Sequence, residues 1–353
     1  MNLDETHRDC PCELFAAVTE RAALASGRWL GRGDVKAAED SASTAMRDAL
    51  DELSIEGHVV VGAEEPESAL AMGTKVGRGG RVYDLAADPL EGRSVVARGE
   101  AGAMAMIAVG DAGTFPRLPD MYMRKMAVGP VARGRIDLAS PVGDNIRAIA
   151  EAFGRNPNDI TSIVLDPPRH HDLIEEIRAA GGRIKLIQDG DVTSSITAAI
   201  RGTNDHLAIG IGGARQALIS AAALRCLGGE LQAQLWPTTR AEIGQAAEHG
   251  IDDVERTFTT EELAPGEVIV AATGVSNSDL LRGVRYLADS ARTHSVVMCT
   301  RHNWVRFIDG IHFFARDRRG EGRLLSERIN VKFGRRRGRS RPSWAPRPLA
   351  VRS

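Results

Sequence analysis

A chain of 353 residues is too long for a minimal domain and suits one large α/β unit or two smaller ones sharing an interface; two lobes are expected. Its 45 basic residues nearly match its 47 acidic ones, and 43% of residues are hydrophobic with few aromatics, which reads as an ordinary soluble protein with no global charge to draw nucleic acid. The polar N-terminus MNLDETHRDC lacks the layout of a signal peptide, no apolar run reaches the ~20 residues that span a bilayer, and a cytoplasmic address follows as the expectation.

The first twelve residues are read as a disordered tail. Within it, Cys10-Pro11-Cys12 could bind a metal or react; a frayed terminus is the plainer expectation. Together with Cys226 and Cys299 these cysteines form neither a disulfide framework nor a CxxC zinc-finger pair. Helical spacing of Leu14, Phe15, Val18, Ala22 and Leu24 predicts a helix from Glu13 to Ser26, broken by Gly27 to Gly33, and a second helix runs from Val35 to Leu53. His58 to Val61 reads as a buried strand emerging into an acidic loop that carries Glu64, Glu65 and Glu67; those carboxylates either meet a cation or face water.

The next predicted strand, Arg81 to Ala86, delivers Asp88 and Glu91 to a DPLEG turn, and Ala103 to Val109 is another strand. From Ser162 the pattern becomes a parallel βαβαβ unit: SIVLDPP, a helix from His171 to Ala180, RIKLI, the loop Asp189-Gly190-Asp191, a helix from Val192 to Arg201, LAIGIGG, and a helix from Arg215 to Leu227. Its strand-end loops should converge on one crevice. Gln232 to Pro265 reads as a helical, acidic insertion, followed by strand EVIVAATG and a helix from Ser278 to Leu287. Beyond Phe333, arginine, proline and serine dominate, and a disordered basic tail over 334–353 is preferred to a nucleic-acid contact. The lobes are expected at 13–155 and 156–333.

In this order and spacing, TERAALASGRWLGRGD, DLAADPLEG, PDMYMRKMAVGP, PRHHDLI, QDGDV, IGIGGA and AATGVSNSDLL resemble the class II fructose-1,6-bisphosphatases, over roughly Leu14 to Phe314. The resemblance implies an α/β, layered αβαβα sugar-phosphatase fold of the lithium-sensitive, inositol-monophosphatase-like kind. It implies hydrolysis of a phosphate monoester of a phosphorylated sugar with Mg²⁺ or Mn²⁺, because hard divalent ions prefer carboxylate oxygens and can clamp the reacting oxygens in line. With no apolar run long enough to span a bilayer no membrane partner is expected, and a homo-oligomer is. Carried over by position, Asp88 and Glu91 match ligands of the family's DPxEGT motif. Tyr122, Arg169, Asp189 and Asp191 match positions that hold the sugar phosphate, and Gly212 and Gly213 match a glycine loop at a helix N-terminus suited to an anion.

The same comparison exposes departures. The threonine after DPxEG is Arg93, with Ser94 the nearest hydroxyl. The first glutamate of GEGE is Ala63, leaving Glu64 and Glu65. A ligand glutamate of GGAPEG is Gln216, preceded by Arg215, and the ligand aspartate of the GDKNTAD block is Glu39 while its lysine is Val35. The lysine before PRH is Pro167. Ala63 and Gln216 each remove a negative charge and Arg93 and Arg215 each add a positive one, which disfavours a second divalent cation. Arg93 should therefore either fork onto phosphate in place of a metal's charge or pair with Glu64 or Glu65. The chemistry expected is phosphatase; the alternatives are a phosphatase-deficient sugar-phosphate-binding protein, with Arg93 and Arg215 replacing metal charge, and a repurposed sugar-phosphate isomerase or lyase using Tyr122, Asp189 or Asp191 for proton transfer.

Overall fold

Strands that are apolar at every position need cover on both faces, and the computed structural model of the protein supplies it with helices. It describes residues 10–63, 65, 67–166, 168–200, 202–316 and 322–324. Glu64, Pro167 and the 334–353 tail lie outside the described residues.

In chain order the elements are α1 (Leu14–Ser26), α2 (Val35–Leu50), β1 (Ile55–Val61), β2 (Lys75–Val76), β3 (Arg81–Glu91), α3 (Arg93–Arg98), β4 (Met104–Asp111) and β5 (Tyr122–Val128). Then come α4 (Val142–Phe153), β6 (Thr161–Leu165), α5 (His171–Ala179), β7 (Arg183–Ile187), α6 (Asp191–Ala199), β8 (Leu207–Gly213), α7 (Ala214–Leu227) and β9 (Glu230–Leu235). The remainder is α8 (Arg240–Glu248), β10 (Thr257–Thr259), α9 (Thr260–Leu263), β11 (Val268–Gly274), β12 (Arg285–Tyr286), β13 (Ser290–Cys299), β14 (Trp304–Arg316) and β15 (Gly322–Leu324).

Two sheets form. The first runs β15-β14-β13-β11-β4-β3-β1-β2, with β12 added to β13, and the second runs β10-β9-β5-β8-β6-β7. Strand β4 shows how the layers are built, because its side chains alternate between two cores. Ala105, Ile107 and Val109 join Phe15, Val18, Ala42 and Met46 of α1 and α2, while Met104, Met106 and Ala108 join Leu218, Ala221 and Ala222 of α7. Strand β11 divides likewise, Ile269 and Ala271 to one side, Val268, Val270 and Ala272 to the other. In β5, Met123 and Ala127 face the α6 and α7 layer, whereas Met126 and Val128 join Ile146 and Ile149 of α4 and Ile177 of α5. The order of layers is therefore α, β, α, β, α. Each fully buried Met or Ile in them contributes about 1.5–3 kcal/mol of transfer free energy. The run of alanines in α7 lets a helix sit between two sheets without prising them apart.

The predicted βαβαβ unit is present, β6 pairing in parallel with both β7 and β8. Other expectations give way. The sheets do not divide at residue 155: β5 crosses into the second sheet, while β11, β13 and β14 return to the first. The 232–265 segment holds helix α8, but β9 pairs with β5 and β10 adds to β9 as the edge of the second sheet, so it is no insertion. Ser278 to Leu287 is not helical; Ser278 instead closes a turn with its hydroxyl on the Leu280 and Leu281 amides, the local bonding by which serine competes with a helix. Residues 10–12, expected in a frayed tail, are packed: Cys12 is 2% exposed and Pro11–Glu13 form a 3₁₀ turn into α1. No helix among the described residues is long and apolar enough to cross a membrane.

Candidate active site

The end of β3 is where local sequence makes a site. Asp88 pairs opposite Met106 and Glu91 opposite Met104, so three steps along β3 match two along β4 and the strand bulges. Pro89 has no N–H to give a ladder and suits that bulge. Gly92 then takes a left-handed φ of 83°, turning the chain directly into α3. The result is two buried carboxylates aimed away from the strand's own ladder. Asp88 accepts a hydrogen bond from Gln216 Nε2 at 3.0 Å. Glu91 accepts from the Val192 amide at 2.8 Å and from Thr193 Oγ1 at 3.0 Å. Burial pushes both carboxyl groups above their ordinary range; the Asp88 charge raises Glu91 further, whereas Arg215, Gln216 and Arg93 pull Asp88 back down.

Opposite them lies the start of α6. Gly190, at φ 102°, makes the turn that sets Asp189 and Asp191 on either side of the helix N-terminus. Asp189 accepts from the Gly190 amide at 2.9 Å and from Ser94 Oγ at 3.3 Å, and burial, with Asp88 nearby, raises its proton affinity. Asp191 is paired with the buried Lys125, whose ammonium also reaches the Gly213 carbonyl at 3.3 Å. Gly212 and Gly213 end β8 where α7 begins. A Cβ on Gly212 would overlap the Asp191 carboxylate, and one on Gly213 would overlap Gln216 Oε1. Tyr122 is the register partner of Gly213, and the Arg169 guanidinium stands 4.9 Å over its ring while donating to the Ile211 carbonyl at 3.1 Å.

Asp88, Glu91, Ser94, Asp189, Asp191, Gly212, Gly213 and Gln216 are thus joined by direct contacts, and Tyr122 and Arg169 form the exposed rim. Arg215 is near enough to Asp88 to lower its proton affinity and borders a small cleft with Val61, Gly62 and Asp120. Among the described residues Arg93 pairs with a carboxylate other than Glu65, while Glu64 lies outside them. Arg93 Nη1 binds both oxygens of Glu39 at 2.8 Å, so the residue at the family's ligand-aspartate position is engaged by the residue at the family's threonine position. Glu65 is exposed, and it touches this group only through its long-range field on Arg93. Ala63 is in a backbone bridge with Ala71.

Lys125 and Thr193 are functional candidates that the sequence reading did not single out. The signal for Lys125 lay in phase: it falls between Met123 and Ala127, on the face of β5 that points into the apolar middle layer, where an unpaired lysine would be costly. A buried lysine in that phase requires a carboxylate, and Asp191 is the one provided.

Two clefts open beside the carboxylates. One of about 600 Å³ includes Asp189, Thr193 and Ser194 together with Lys185, Asn277 and Asp279. A larger one of about 820 Å³ lies against the outer face of the second sheet and shares Lys125, Arg169 and Ile211 with the site. The smaller cleft touches the acidic chemistry; the larger one meets the site only through its cationic rim.

The donor set fits a hard divalent cation. Asp88 and Glu91 are buried and Asp189 is half-buried, and a cation would relieve their mutual repulsion. Gln216 is neutral, Ala63 offers no side-chain donor, and Glu39 is held by Arg93.

Comparison with known proteins gives the family of the chain. The sequence model of the family described as bacterial fructose-1,6-bisphosphatase, glpX-encoded, matches residues 11–312. A D-fructose 1,6-bisphosphatase class 2/sedoheptulose 1,7-bisphosphatase of Synechococcus sp. (strain JA-3-3Ab) is 40% identical over 84% of this chain and 93% of its own length. Proteins of the same name from Crocosphaera subtropica and Thermosynechococcus vestitus are 38% and 37% identical, each over 84% of this chain and 94% of their own.

Proposed function

The chain belongs to the glpX-encoded bacterial fructose-1,6-bisphosphatase family, and from that premise we propose that it is a phosphoric monoester hydrolase acting on a phosphorylated sugar, a bisphosphorylated ketose by analogy with its relatives' names. The observation that carries the reading is the junction of Asp88 with Gln216 at 3.0 Å, because it brings the acidic end of β3 into direct contact with the glycine-led N-terminus of α7.

In this reading Arg169 and Tyr122 hold the sugar phosphate at the rim, the guanidinium supplying a fork of donors and the ring a flat support. The N-terminus of α7 behind Gly213 offers amides and a favourable dipole to phosphoryl oxygens. Lys125 pairs with Asp191 and fixes its carboxylate, so that it can accept from a sugar hydroxyl. Ser94, hydrogen-bonded to Asp189, is the hydroxyl available to orient water, in place of the absent threonine. Mg²⁺ or Mn²⁺ would be held by Asp88 and Glu91 with Asp189, and when bound it would polarise the phosphoryl group and lower the pKa of bound water.

The Glu39–Arg93 pair and the Gln216 cap on Asp88 favour a second reading, in which sugar phosphate is bound and hydrolysis is weak or lost. One experiment separates the two. Purified protein is offered fructose 1,6-bisphosphate, sedoheptulose 1,7-bisphosphate and their monophosphates with Mg²⁺ and with Mn²⁺, and inorganic phosphate is measured. Metal-dependent release that disappears in Asp88→Asn supports hydrolysis. No release with either metal, combined with calorimetric binding of a bisphosphate that survives chelator, supports the second reading and ends the first.

A further inference from the structure

We propose that Cys10, Cys12, Cys299 and His302 form a structural zinc site that fastens the N-terminus to the β13–β14 turn. Among the described residues this is the only group of three or more His, Cys, Asp or Glu whose donor atoms all lie within 4.8 Å of one another. Two of the donor separations match the edges of a zinc tetrahedron. With Zn–S about 2.3 Å and Zn–N about 2.0–2.1 Å, tetrahedral edges are about 3.8 Å between two sulfurs and about 3.6 Å between sulfur and nitrogen. Cys10 Sγ is 3.9 Å from Cys299 Sγ, and Cys12 Sγ is 3.5 Å from His302 Nδ1. Three thiolates and one imidazole match a closed structural zinc set, and soft sulfur donors argue against Mg²⁺ or Mn²⁺.

The surroundings are built as a metal site's are. Backbone N–H groups of Arg301 and His302 are directed at the Cys299 sulfur, which is how thiolate charge is spread into a turn. The His302 ring stacks on Trp304 at 5.5 Å and 9° between planes, so its Nδ1 is held toward the sulfurs. Cys12 and Cys299 are buried in the same core as Phe15 and Val18 of α1, while Cys10 and His302 are part-buried, leaving a way in for the ion. Zinc binding here is acid–base chemistry: each of the three thiols gives up its proton to buffer as an S–Zn bond forms, and no oxidant is required.

The site is separate from the acidic cleft. Cys10 and Cys299 border the same small cavity as Arg81, Tyr83 and Asp111, at the opposite end of β3 from the carboxylates. Asp88 is five residues beyond Tyr83, roughly 17 Å at about 3.3 Å per residue. Its role would be to tie residue 10 to residue 302 across nearly the whole fold, holding α1 on β11 and β13.

The test uses the full-length protein without an affinity tag, purified under reducing conditions without chelator. About one zinc per chain by elemental analysis is expected. Zinc should fall at least about tenfold in Cys299→Ser and His302→Ala, while Cys226→Ser, a cysteine outside the group, keeps it. Zinc-stripped wild type titrated with Co²⁺ should develop the intense visible bands of tetrahedral cobalt and a thiolate charge-transfer band, saturating at one equivalent and bleached by Zn²⁺. Because this titration needs no variant, it stands even if Cys299→Ser does not fold, and Cys10→Ser then supplies the comparison. The proposal is overturned if the reduced wild type carries no zinc and gives no thiolate–cobalt spectrum, if the bands persist in Cys10→Ser, if native mass spectrometry finds a Cys10–Cys299 disulfide in their place, or if the bound metal is an iron–sulfur chromophore.

Discussion

Two places on the first sheet gather metal-binding chemistry, and they treat their donors in opposite ways. At one end of β3 and β4, each carboxylate has acquired a partner from the protein: Gln216 on Asp88, Thr193 and the Val192 amide on Glu91, Arg93 on Glu39, Lys125 on Asp191. At the other end the thiols and the imidazole face one another, all within 4.8 Å. A donor satisfied by the protein releases less free energy when a cation arrives, because an existing hydrogen bond or ion pair must be broken first. The acidic cleft therefore reads as a place where metal is exchangeable and tuned, and the thiol group as one where metal belongs to the fold. Removing metal should expose the contrast. A chelator that strips Mg²⁺ or Mn²⁺ should stop phosphate release while leaving Tm almost unchanged, whereas zinc extraction should lower Tm and leave KM alone. Thermal melts and kinetics on the same samples check it, and equal responses at both ends would collapse the distinction.

The largest expected effect is at Asp88. Asp88→Asn keeps the shape but removes a buried oxygen anion, and phosphate release should fall by about 10³-fold or more, several kcal/mol of transition-state stabilisation. The metal-free protein should at the same time become more stable. Burial has raised the proton affinity of Asp88, and its charge raises that of Glu91, so the two carboxyl groups cost stability once the pH exceeds the ordinary carboxylate range, a cost that the amide relieves. Loss of activity with a raised Tm would mark Asp88 as a functional group held at the expense of stability; loss of both would make it a structural one.

Next comes Gly212→Ala. Its Cβ would overlap the Asp191 carboxylate and reach 2.8 Å from Lys125 Nζ, but both are ends of side chains and can swing aside. The fold should survive while the Lys125–Asp191 pair is displaced, and misplacement on that scale can reduce kcat/KM by about 10²-fold. Gly244→Ala, where an added Cβ meets nothing within 4 Å, is the matched control.

Much of this was legible in the sequence. The βαβαβ alternation, the bulging DPLEG end and the glycine-led helix are local patterns, and local patterns survive folding. What was not legible depends on pairing between distant segments. The sequence gives no sign that β5 leaves its neighbours for the second sheet, because its phase of Met123 and Ala127 against Met126 and Val128 suits any two-faced sheet. Arg93 could not be assigned to Glu39, since the pair spans α2 and α3 and is made by side chains long enough to choose among several carboxylates. The Cys-Pro-Cys segment looked like a loose end because its third and fourth partners, Cys299 and His302, are contributed by a turn almost three hundred residues away.

Restoring the family's residues would sharpen the contrast from the other side. Arg93→Thr releases Glu39, Gln216→Glu adds a carboxylate beside Asp88, and Ala63→Glu returns the first glutamate of its motif. Single reversions that leave the other donors engaged should do little. The triple variant should gain about 10–100-fold in metal affinity or phosphate release, the range over which groups around a metal usually act, at a lower Tm in the absence of metal because more like charge is packed into one crevice. An unchanged rate in a folded triple variant would mean that the departures are not what limits hydrolysis.

The smallest effect concerns the rim. Arg169 is exposed, anchored by one bond to the Ile211 carbonyl and by its position over Tyr122, and it reaches neither buried carboxylate by any direct contact in the described set. Its contribution should be to binding rather than to the reacting centre. Arg169→Ala should raise KM about tenfold, in keeping with a charge-assisted hydrogen bond worth about 1.5–3 kcal/mol, and leave kcat within about twofold. Arg169→Lys should recover only part of that loss, since an ammonium keeps the charge but neither forks onto phosphate nor lies flat on an aromatic ring. Measured as a KM-against-kcat split, a fall in kcat alone would move Arg169 inward to the chemistry, and with it the boundary between the cationic rim and the acidic cleft.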